Sequence, residues 1–357
     1  MTQKKPEQPA PFFRLVSEAI GPALRILSRP QALAQAPRLF TEGLAPVRRL
    51  MIQAHNKREM LRLASEGVQL QFVSSFARSG NTWVRYLLAD VLLQNRGEQT
   101  TTELSVPPEE IIPDYYCDYI ARRDQSVRMP GVLIKTHDVF ETVWQGMGAA
   151  PLTEAPSAGP PPNCKILYIF RRPEDVLVSF YHLHLRQKYV RSTVFGIDAF
   201  CRSAMDGWMQ NVASYLRAAD LGAPIYFASY ETLLHEPAAT LTGILAWLGI
   251  EHNAERVKRA VDHMEFSNLR KVEERRPPHQ TKEFFFRRGR KGSGLMELQP
   301  QTLAEIRDHT SSLVKQADKR MARQKSGRHD TAEFKQRPAP GNGHPRQSGS
   351  SAHLQLL

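Results

Sequence analysis

Four short, nearly continuous apolar runs alternate along the chain with longer segments of helical period. Strands that are covered on both faces carry apolar residues at successive positions. Alternation of such strands with helices favours a parallel sheet with helices on both faces. The sequence therefore predicts an α/β fold around a central parallel sheet. The predicted strands are 68–75, 131–135, 165–170 and 224–228, and the predicted helices are 82–94, 173–187, 197–219, 238–248, 253–263 and 300–318.

Charge is distributed unevenly along the 357 residues. Residues 1–66 contain 11 Lys or Arg against 5 Asp or Glu, and residues 319–357 contain 8 against 2, whereas the middle is neutral with 29 of each. Composition and charge together predict three parts: a helical, basic N-terminal extension over 1–66, a neutral central domain over 67–318, and a basic, disordered C-terminal tail over 319–357.

The basic ends of the chain also suggest what the protein contacts and where it is located. Cationic tails are attracted to anionic surfaces in a salt-dependent way, so peripheral contact with an anionic membrane is one expectation, and plain solubility is the alternative. Nothing predicts binding to a specific nucleic acid. No apolar run reaches the length of a membrane-spanning helix. Three widely spaced cysteines without a CxxC pair fit reduced thiols, and we expect a cytoplasmic protein.

The stretch SFARSGNTW, residues 75–83, joins the first predicted strand to the next helix. A strand, a small polar turn and a helix start form a layout that binds phosphate, because free main-chain N–H groups and the helix dipole face the anion. The GxxxxGK[ST] pattern of nucleotide triphosphatases is absent here. Gly80 is expected to let the backbone approach a ligand closely. The other candidate ligands are Arg78, Ser79, Asn81 and Thr82, with Trp83 as a stacking face.

A second candidate, RRPEDVLVS over 171–179, follows the third predicted strand. Its Pro-Glu-Asp segment suits a first helical turn and requires no ligand to explain it. Arg171 is different, because α/β sheets bind ligands where their strands end. We expect Arg171 to bind an anion there, and Ser179 to reach the same anion from about two turns into the helix.

Lys135, Thr136 and His137 close the second predicted strand. Residues two apart in an extended segment point to the same side, so Lys135 and His137 are predicted to face one site. Histidine can take up a proton near neutral pH. Lysine can neutralise growing negative charge. The pair therefore predicts proton transfer beside an anion, although a lone histidine is more often structural.

The stretch FFFRRGRKG, residues 284–292, concentrates cations between aromatic residues and glycines. This composition favours a loop that clamps an anion, with Arg287, Arg288 and Gly289 as its candidate ligands. Nuclear targeting or a nucleic-acid patch is the competing interpretation.

Taken in order, these four segments resemble the soluble, cytosolic-type sulfotransferases, which use 3′-phosphoadenosine 5′-phosphosulfate as sulfuryl donor. The resemblance covers roughly residues 68–318 and implies the P-loop-like fold of that family. ARSGNTW resembles its 5′-phosphosulfate loop, KTH its catalytic strand end, RRPEDVLVS its 3′-phosphate site and FFRRGRKG its closing loop. Two further segments, SYETLLHEP and MEFSNLR, resemble those that contribute Tyr230 to the nucleotide and Phe266 to the adenine opposite Trp83.

The resemblance implies in-line transfer of a sulfuryl group to a hydroxyl or amine, with His137 as the base. Arg78 and Lys135 would stabilise charge on the leaving oxygen, and Arg171, Ser179 and the loop 287–289 would hold the 3′-phosphate. No metal is expected. Arg78 replaces the lysine usual in the family and cannot donate a proton to the leaving group.

The acceptor is expected to be a small molecule or a glycolipid in a mostly apolar pocket, shaped by loops 98–130, 138–163 and 184–196. The oligomeric state stays open. A P-loop kinase or nucleotide hydrolase, and a non-catalytic binding module on the same fold, are the alternative functions. The missing GK[ST] speaks against the first, and the intact Lys135 and His137 speak against the second.

Overall fold

The central sheet has the four parallel strands that the apolar runs predict. In the computed structural model, which describes residues 45–120, 131–149, 151, 163–186, 196–274 and 292–325, the strand order is β2-β1-β3-β4. Each predicted strand is found within a residue or two of its expected bounds. The strands are β1 (Gln69–Ser74), β2 (Gly131–Thr136), β3 (Cys164–Phe170) and β4 (Ile225–Ser229).

Helices surround the sheet, and the predicted α/β class with a P-loop-like arrangement is confirmed. The helices are α1 (Ala45–Ser65), α2 (Asn81–Asn95), α3 (Pro108–Ile111), α4 (Phe140–Gly146), α5 (Pro173–Arg186), α6 (Ile197–Asp220), α7 (Tyr230–His235), α8 (Pro237–Leu248), α9 (Ala254–His263), α10 (Phe266–Glu274), α11 (Ser293–Glu297) and α12 (Pro300–Lys325).

Two differences from the predicted helices have physical reasons. The short helices α3, α4, α7, α10 and α11 were not predicted, because fewer than ten residues give little periodic signal. Helix α12 continues past residue 318 to Lys325, since its last turns contact the sheet. The helical N-terminal extension was predicted without helix bounds; helix α1 begins at Ala45, and Pro46 lies at its start, where proline is tolerated.

Two apolar layers cover the two faces of the sheet. Phe72, Ile134 and Tyr168 belong to one layer, together with side chains of α1, α6 and α12. Val73 and Leu133 belong to the other layer, which α2, α8 and α9 complete. Neighbouring strand residues therefore point into different layers, which is why most strand positions are apolar, although β1 begins with the alternating sequence Gln-Leu-Gln-Phe.

Both outer edges of the sheet are closed by neighbouring segments. At the β4 edge, the Phe227 N–H donates to Gln324 Oε1 over 3.1 Å, and Gln324 Nε2 donates to the Ile225 carbonyl over 3.3 Å. At the β2 edge, the Lys135 N–H donates to the Pro113 carbonyl and the Lys135 carbonyl accepts from the Tyr115 N–H, each over 2.9 Å. The end of α12 and the segment 113–115 thus satisfy main-chain groups that edge strands leave exposed.

The basic ends that carry the predicted membrane contact lie mostly outside the described residues. Within the ranges that the structure does describe, no helix is both long enough and apolar enough to cross a membrane. Of the three cysteines, Cys164 and Cys201 are buried and Cys117 is exposed, and all three are free thiols.

Candidate active site

The carboxyl ends of all four strands deliver predicted site residues to one edge of the sheet. The loop 75–80 follows β1, His137 follows β2, Arg171 follows β3 and Tyr230 follows β4. Parallel pairing brings these ends side by side, and open α/β sheets bind their ligands at such an edge.

A cavity of about 570 Å³ opens at this edge. Most of the predicted site residues that the structure describes line it, although Ser79 and Ser179 are buried in the protein around it. The lining predicted residues are Arg78, Gly80, Asn81, Thr82, Trp83, Lys135, His137, Arg171, Tyr230 and Phe266.

Arg78 has a backbone conformation that is uncommon for a residue other than glycine. Its φ is 71°, in the left-handed region. Two contacts fix it: Arg78 Nε donates to Ser179 Oγ over 3.1 Å, and the Arg78 carbonyl accepts from Arg171 Nη1 over 3.0 Å. Strained residues of this kind cluster at ligand-binding loops. The three predicted anion ligands therefore form one connected group.

Gly80 is required for a reason that the sequence did not reveal. Its φ is 100°, and a Cβ atom built there would lie 2.5 Å from Cδ2 of Tyr230. The group that closely approaches Gly80 in the protein is therefore the Tyr230 ring. A side chain at this position would displace that ring from the cavity wall.

The Asn81 side chain donates within the protein rather than toward the cavity. Its two amide hydrogens are used within the protein, because Nδ2 donates to the Val73 carbonyl over 2.9 Å and to Ser75 Oγ over 3.2 Å. Asn81 ties the loop to the end of β1. Its main-chain N–H, at the start of α2, and the neighbouring Thr82 are still candidates for contact with an anion.

Three aromatic residues form one wall of the cavity. Trp83 Nε1 donates to the Met264 carbonyl over 2.8 Å, and the Trp83 ring packs edge-on against Tyr230 at 6.1 Å. Phe266 follows shortly after Met264 and begins α10. The hydrogen bond to Met264 thus links the two aromatic residues that were predicted to enclose a base.

Arg171 and Arg172 are adjacent in sequence but have different surroundings. Arg171 is buried, and its guanidinium lies 4.2 Å from the centre of the Tyr230 ring. Within the described ranges its Nε has no hydrogen-bond partner. Arg172 turns away and makes two hydrogen bonds of 3.0 Å to Asp318 on α12. A buried cation with an unused donor at the cavity fits an anionic ligand.

The predicted clamp residues Arg287, Arg288 and Gly289 lie outside the described residues. The two glycines that follow the arginine-rich segment are described, and Asp175, which the sequence had assigned only to a helix start, anchors them. The Asp175 carboxylate accepts from the N–H groups of Gly292 and Gly294 over 2.8 Å each. These hydrogen bonds join the start of α11 to α5.

His137 has a defined proton arrangement. Its Nδ1 lies 2.9 Å from the Ser75 carbonyl, which can only accept, so Nδ1 carries the hydrogen and Nε2 keeps its lone pair. Burial and the nearby charge of Lys135 lower the pKa of His137 from 6.5 to about 3. The imidazole is therefore neutral near pH 7 and can accept a proton at Nε2.

Lys135 pairs with Asp114, a residue that the sequence analysis did not single out. The Lys135 ammonium and the Asp114 carboxylate form a hydrogen-bonded ion pair in which both side chains are largely buried. Burial alone would raise the pKa of Asp114, but the charge of Lys135 and its hydrogen bond hold the pKa below the usual value. Asp114 lies in a polar stretch without periodic pattern, so no sequence signal identified it.

The segment around Asp114 adds further residues to the cavity. Tyr116 donates from its hydroxyl to the Asp138 carboxylate, and the guanidinium of Arg49 lies 5.2 Å from the Tyr116 ring. Burial raises the pKa of Asp138. These three residues and Cys117 line the cavity beside Asp114. This part of the cavity is more polar than the mostly apolar pocket expected from the sequence.

The charges around the cavity favour an anion. Arg49, Arg78, Lys135 and Arg171 contribute four cations, and Asp114 and Asp138 contribute two carboxylates. Within the described part of the chain, no cluster of three or more His, Cys, Asp or Glu side chains could hold a metal ion. The aromatic wall, the buried cations and the free N–H groups at the start of α2 together fit a nucleotide with phosphate groups.

Comparison with known proteins agrees with this chemistry. The model of the sulfotransferase domain family matches residues 71–322. Cytosolic sulfotransferase 7 of Arabidopsis thaliana is 24% identical over 253 residues, which are 64% of this chain and 74% of that protein. Flavonol 3-sulfotransferase of Flaveria bidentis is 25% identical over 187 residues, which are 50% of this chain and 56% of that protein.

A solved structure shows the same fold. Retinol dehydratase, in a complex with retinol and PAP, superimposes with a TM-score of 0.50 at 17% sequence identity. The superposition covers 72% of this chain and 86% of that chain.

Proposed function

This chain belongs to the sulfotransferase domain family, and from that premise we propose that it transfers a sulfuryl group from 3′-phosphoadenosine 5′-phosphosulfate to a hydroxyl or amine acceptor. His137 acts as the general base in an in-line displacement. The observation that carries the proposal is the neutral imidazole of His137, with its free Nε2 in the same cavity as Lys135, Arg78 and Arg171.

Two walls of the cavity have different proposed roles. We name as the donor wall the loop 78–83 with Arg171, Ser179, Tyr230 and Phe266. The acceptor wall consists of Arg49, Asp114, Tyr116, Lys135, His137 and Asp138. The donor wall binds the nucleotide, and the acceptor wall places the acceptor hydroxyl against His137.

The donor wall offers a partner for each part of the nucleotide. Arg171 and Ser179 hold the 3′-phosphate, and each charge-assisted hydrogen bond to it is worth about 1.5–3 kcal/mol. The N–H groups at the start of α2 and Thr82 face the 5′-phosphate. Trp83 and Phe266 enclose the adenine. The contact between Arg78 and Ser179 makes the two anion sites interdependent.

Proton transfer proceeds at Nε2 of His137. The acceptor oxygen forms a bond to sulfur as the bond between sulfur and the bridging phosphate oxygen breaks, and the acceptor proton moves to Nε2. The hydrogen bond from Nδ1 to the Ser75 carbonyl keeps the ring oriented, and it favours the charged imidazolium that results. A positioned base of this kind contributes about 10²–10⁴ in rate.

Charge on the leaving oxygen is stabilised by Lys135 and Arg78. Neither residue gives up a proton in this scheme: Arg78 stays charged at all relevant pH values, and Lys135 is held in its ion pair with Asp114. Cations that are already held in position stabilise such charge strongly. Arg78 mainly anchors the phosphosulfate, and Lys135 is the main electrophilic group.

The acceptor is a small molecule or a glycolipid. Relatives with low identity include a flavonol 3-sulfotransferase, and a related fold binds retinol with PAP. The carboxylates of Asp114 and Asp138 and the hydroxyl of Tyr116 favour acceptors that carry polar groups beside the reacting hydroxyl. The protein acts in the cytoplasm, and its basic ends give it the option of contact with an anionic membrane.

The direct test is a screen with purified protein and the sulfuryl donor. Phenols, aliphatic alcohols, amines and sugars are incubated in parallel, and mass spectrometry detects products that have gained a sulfate. We expect at least one class to react, and reactions without donor are the control. PAP is the donor nucleotide without its sulfuryl group. Tight binding of magnesium-ATP in calorimetry, with no binding of PAP, would instead favour the kinase alternative.

A further inference from the structure

Asp114 is the counter-ion of the proposed electrophile, and its carboxylate is held in place by its own loop. Asp114 Oδ1 accepts from the Tyr116 N–H over 3.0 Å, and the Asp114 N–H donates to Asp118 Oδ2 over 2.8 Å. The other carboxylate oxygen bonds to Lys135 Nζ. Both oxygens of this carboxylate therefore have defined partners.

The loop itself is attached to the sheet at Lys135. The main-chain N–H and carbonyl of Lys135 bond to Pro113 and Tyr115, so Asp114 lies opposite Lys135 in a short parallel bridge. The same two residues are thus paired twice, once through the backbone and once through the side chains. This double pairing fixes where the Lys135 ammonium can lie.

Helix α1 fixes the far side of the loop. Asn56 is fully buried, and its Nδ2 donates to the carbonyls of Tyr115 and Asp118 over 2.8 Å each. Its Oδ1 accepts from the Ile120 N–H over 2.9 Å. One asparagine therefore holds three main-chain groups of the loop, and it lies before residue 71, where the match to the family begins.

The other charges of the cavity explain why an anchor is needed. Arg49, Arg78 and Arg171 line the same cavity as Lys135. A flexible ammonium among like charges and away from bulk water is pushed away from them unless an anion holds it. Lysine is a point charge on a flexible stem, so the position of its charge depends on such a partner.

We propose that Asp114 is a positioning residue whose carboxylate holds the Lys135 ammonium at the reacting end of the cavity. The proposal rests on the proposed function, because it takes Lys135 as the group that stabilises the leaving oxygen. Asp114 itself does not touch the reacting atoms. It acts through Lys135, and a displacement of about 1 Å at a reacting centre can cost about 100-fold in rate.

A double-mutant cycle tests whether Asp114 acts through Lys135. Asp114→Asn is measured in the unsubstituted chain and in a Lys135→Met background, with the best acceptor from the screen. We expect Asp114→Asn to lower kcat by about 10- to 100-fold in the first case and by less than about threefold in the second. Affinity for PAP, which lacks the sulfuryl group, stays within about threefold in both backgrounds.

Asp118→Asn is the matched control. Asp118 lies in the same loop and bonds to the Asp114 N–H, but its ion pair is with Arg85. Whatever Asp118→Asn costs by loosening the loop is expected to be the same in both backgrounds. Equal losses from Asp114→Asn in both backgrounds would show that Asp114 only fastens the loop, and unchanged kcat in the unsubstituted chain would also overturn the proposal.

Asp114→Glu is a second variant, for the case in which Asp114→Asn does not fold. If Asp114→Asn lacks a cooperative thermal transition, Asp114→Glu keeps the charge but moves the carboxylate by one methylene. It is then expected to lower kcat about tenfold with PAP affinity retained, and wild-type turnover by Asp114→Glu would overturn the proposal. If the unsubstituted chain transfers no sulfate to any acceptor in the screen, the proposed function itself fails, and this outcome is distinct from a failure of the Asp114 proposal.

Discussion

The two walls of the cavity are built in different ways. Most of the donor wall consists of residues that directly follow strands β1, β3 and β4, and Ser179 and Phe266 are added from α5 and α10. The acceptor wall depends more on elements that do not follow a strand end: Asn56 of α1 bonds to Tyr115 across 59 positions, and Asn211 of α6 bonds to the His137 carbonyl across 74. Strand ends thus supply most of the residues proposed to bind the nucleotide, whereas the reacting end also requires α1, α6 and the segment 113–118.

The largest expected effect comes from His137, where the two walls meet. His137→Ala removes the base and is expected to lower kcat by about 10²–10⁴-fold, with little change in affinity for PAP. Initial rates and calorimetry measure the two quantities. His252→Ala is the control, because His252 also contacts a backbone carbonyl, that of Ile250, but does not line the cavity. Full activity in His137→Ala would refute the proposed mechanism.

The adjacent arginines test whether the donor wall depends on single strand-end residues. Arg171→Ala is expected to weaken PAP binding by about 10- to 100-fold, because a buried charge-assisted contact worth about 1.5–3 kcal/mol is lost. Arg172→Ala loses its partly exposed pair with Asp318, which is worth less than about 1 kcal/mol, and its contact with the Phe170 ring; neither residue lines the cavity, so the variant is expected to bind PAP normally. Calorimetry with PAP decides, and equal losses in both variants would contradict the assignment of Arg171.

Asn56 tests the acceptor wall from outside the region that matches the family. Asn56→Ala leaves buried main-chain groups unsatisfied, so we expect a loss of about 1–3 kcal/mol in the free energy of unfolding. We also expect kcat to fall several-fold while PAP affinity changes little. Denaturant titration and initial rates are the measurements.

A second asparagine provides the comparison for Asn56. Asn95 also ties a helix to a distant carbonyl, that of Glu251, but it is only half-buried and does not line the cavity. Asn95→Ala is expected to leave kcat unchanged. Weaker PAP binding in Asn56→Ala would show that the two walls are not separable.

The last prediction concerns the dependence of stability on pH. Because the pKa of His137 in the folded protein is about 3, below its ordinary 6.5, the unfolded chain takes up a proton at this residue first as the pH falls. Its contribution to stability is complete above pH 6.5 and is lost as the pH falls toward 3. Over that window the wild type is expected to lose more stability than His137→Ala, as thermal unfolding would measure.

The control for the pH experiment is again His252→Ala. That variant retains His137, so its stability should fall with pH as steeply as that of the wild type. If His137→Ala follows the same slope, the imidazole is not held neutral in the folded protein.

The fold was also predicted better where local sequence decides the structure than where distant contacts do. The strands could be predicted almost to the residue because burial on both faces leaves an uninterrupted apolar run, as in Ile166–Phe170. Helix α12 was predicted too short, since its last turns carry polar residues such as Gln324, whose role depends on the distant β4. Residue type alone does not reveal a partner that lies 97 positions away.

The candidate site was predicted where its residues share a motif. Arg78, Lys135, His137 and Arg171 were singled out because each lies beside a strand end, and the cavity brings them together. Their roles in catalysis and binding stay predictions. Asp114 was missed, because it lies in the polar segment 98–130 and its partner is fixed only when that segment pairs with β2.

Asn81 and Gly80 illustrate the limits of reading residue types within a motif. Both were assigned to the ligand, yet Asn81 bonds to β1 and Gly80 makes room for Tyr230. Gly294 is similar, because a Cβ atom there would lie 2.6 Å from Cβ of Glu174. In each case the close contact, which sequence cannot show, determines the residue.

The side chain of Gln324 has a consequence for how this enzyme can be shortened. Its amide occupies the outer main-chain groups of β4, which would otherwise be available to a strand of another molecule. A chain ending at residue 318, or at residue 322 where the family match ends, would keep every proposed catalytic residue that the structure describes and still expose that edge. Its first defect would be self-association in a concentrated solution rather than a loss of chemistry.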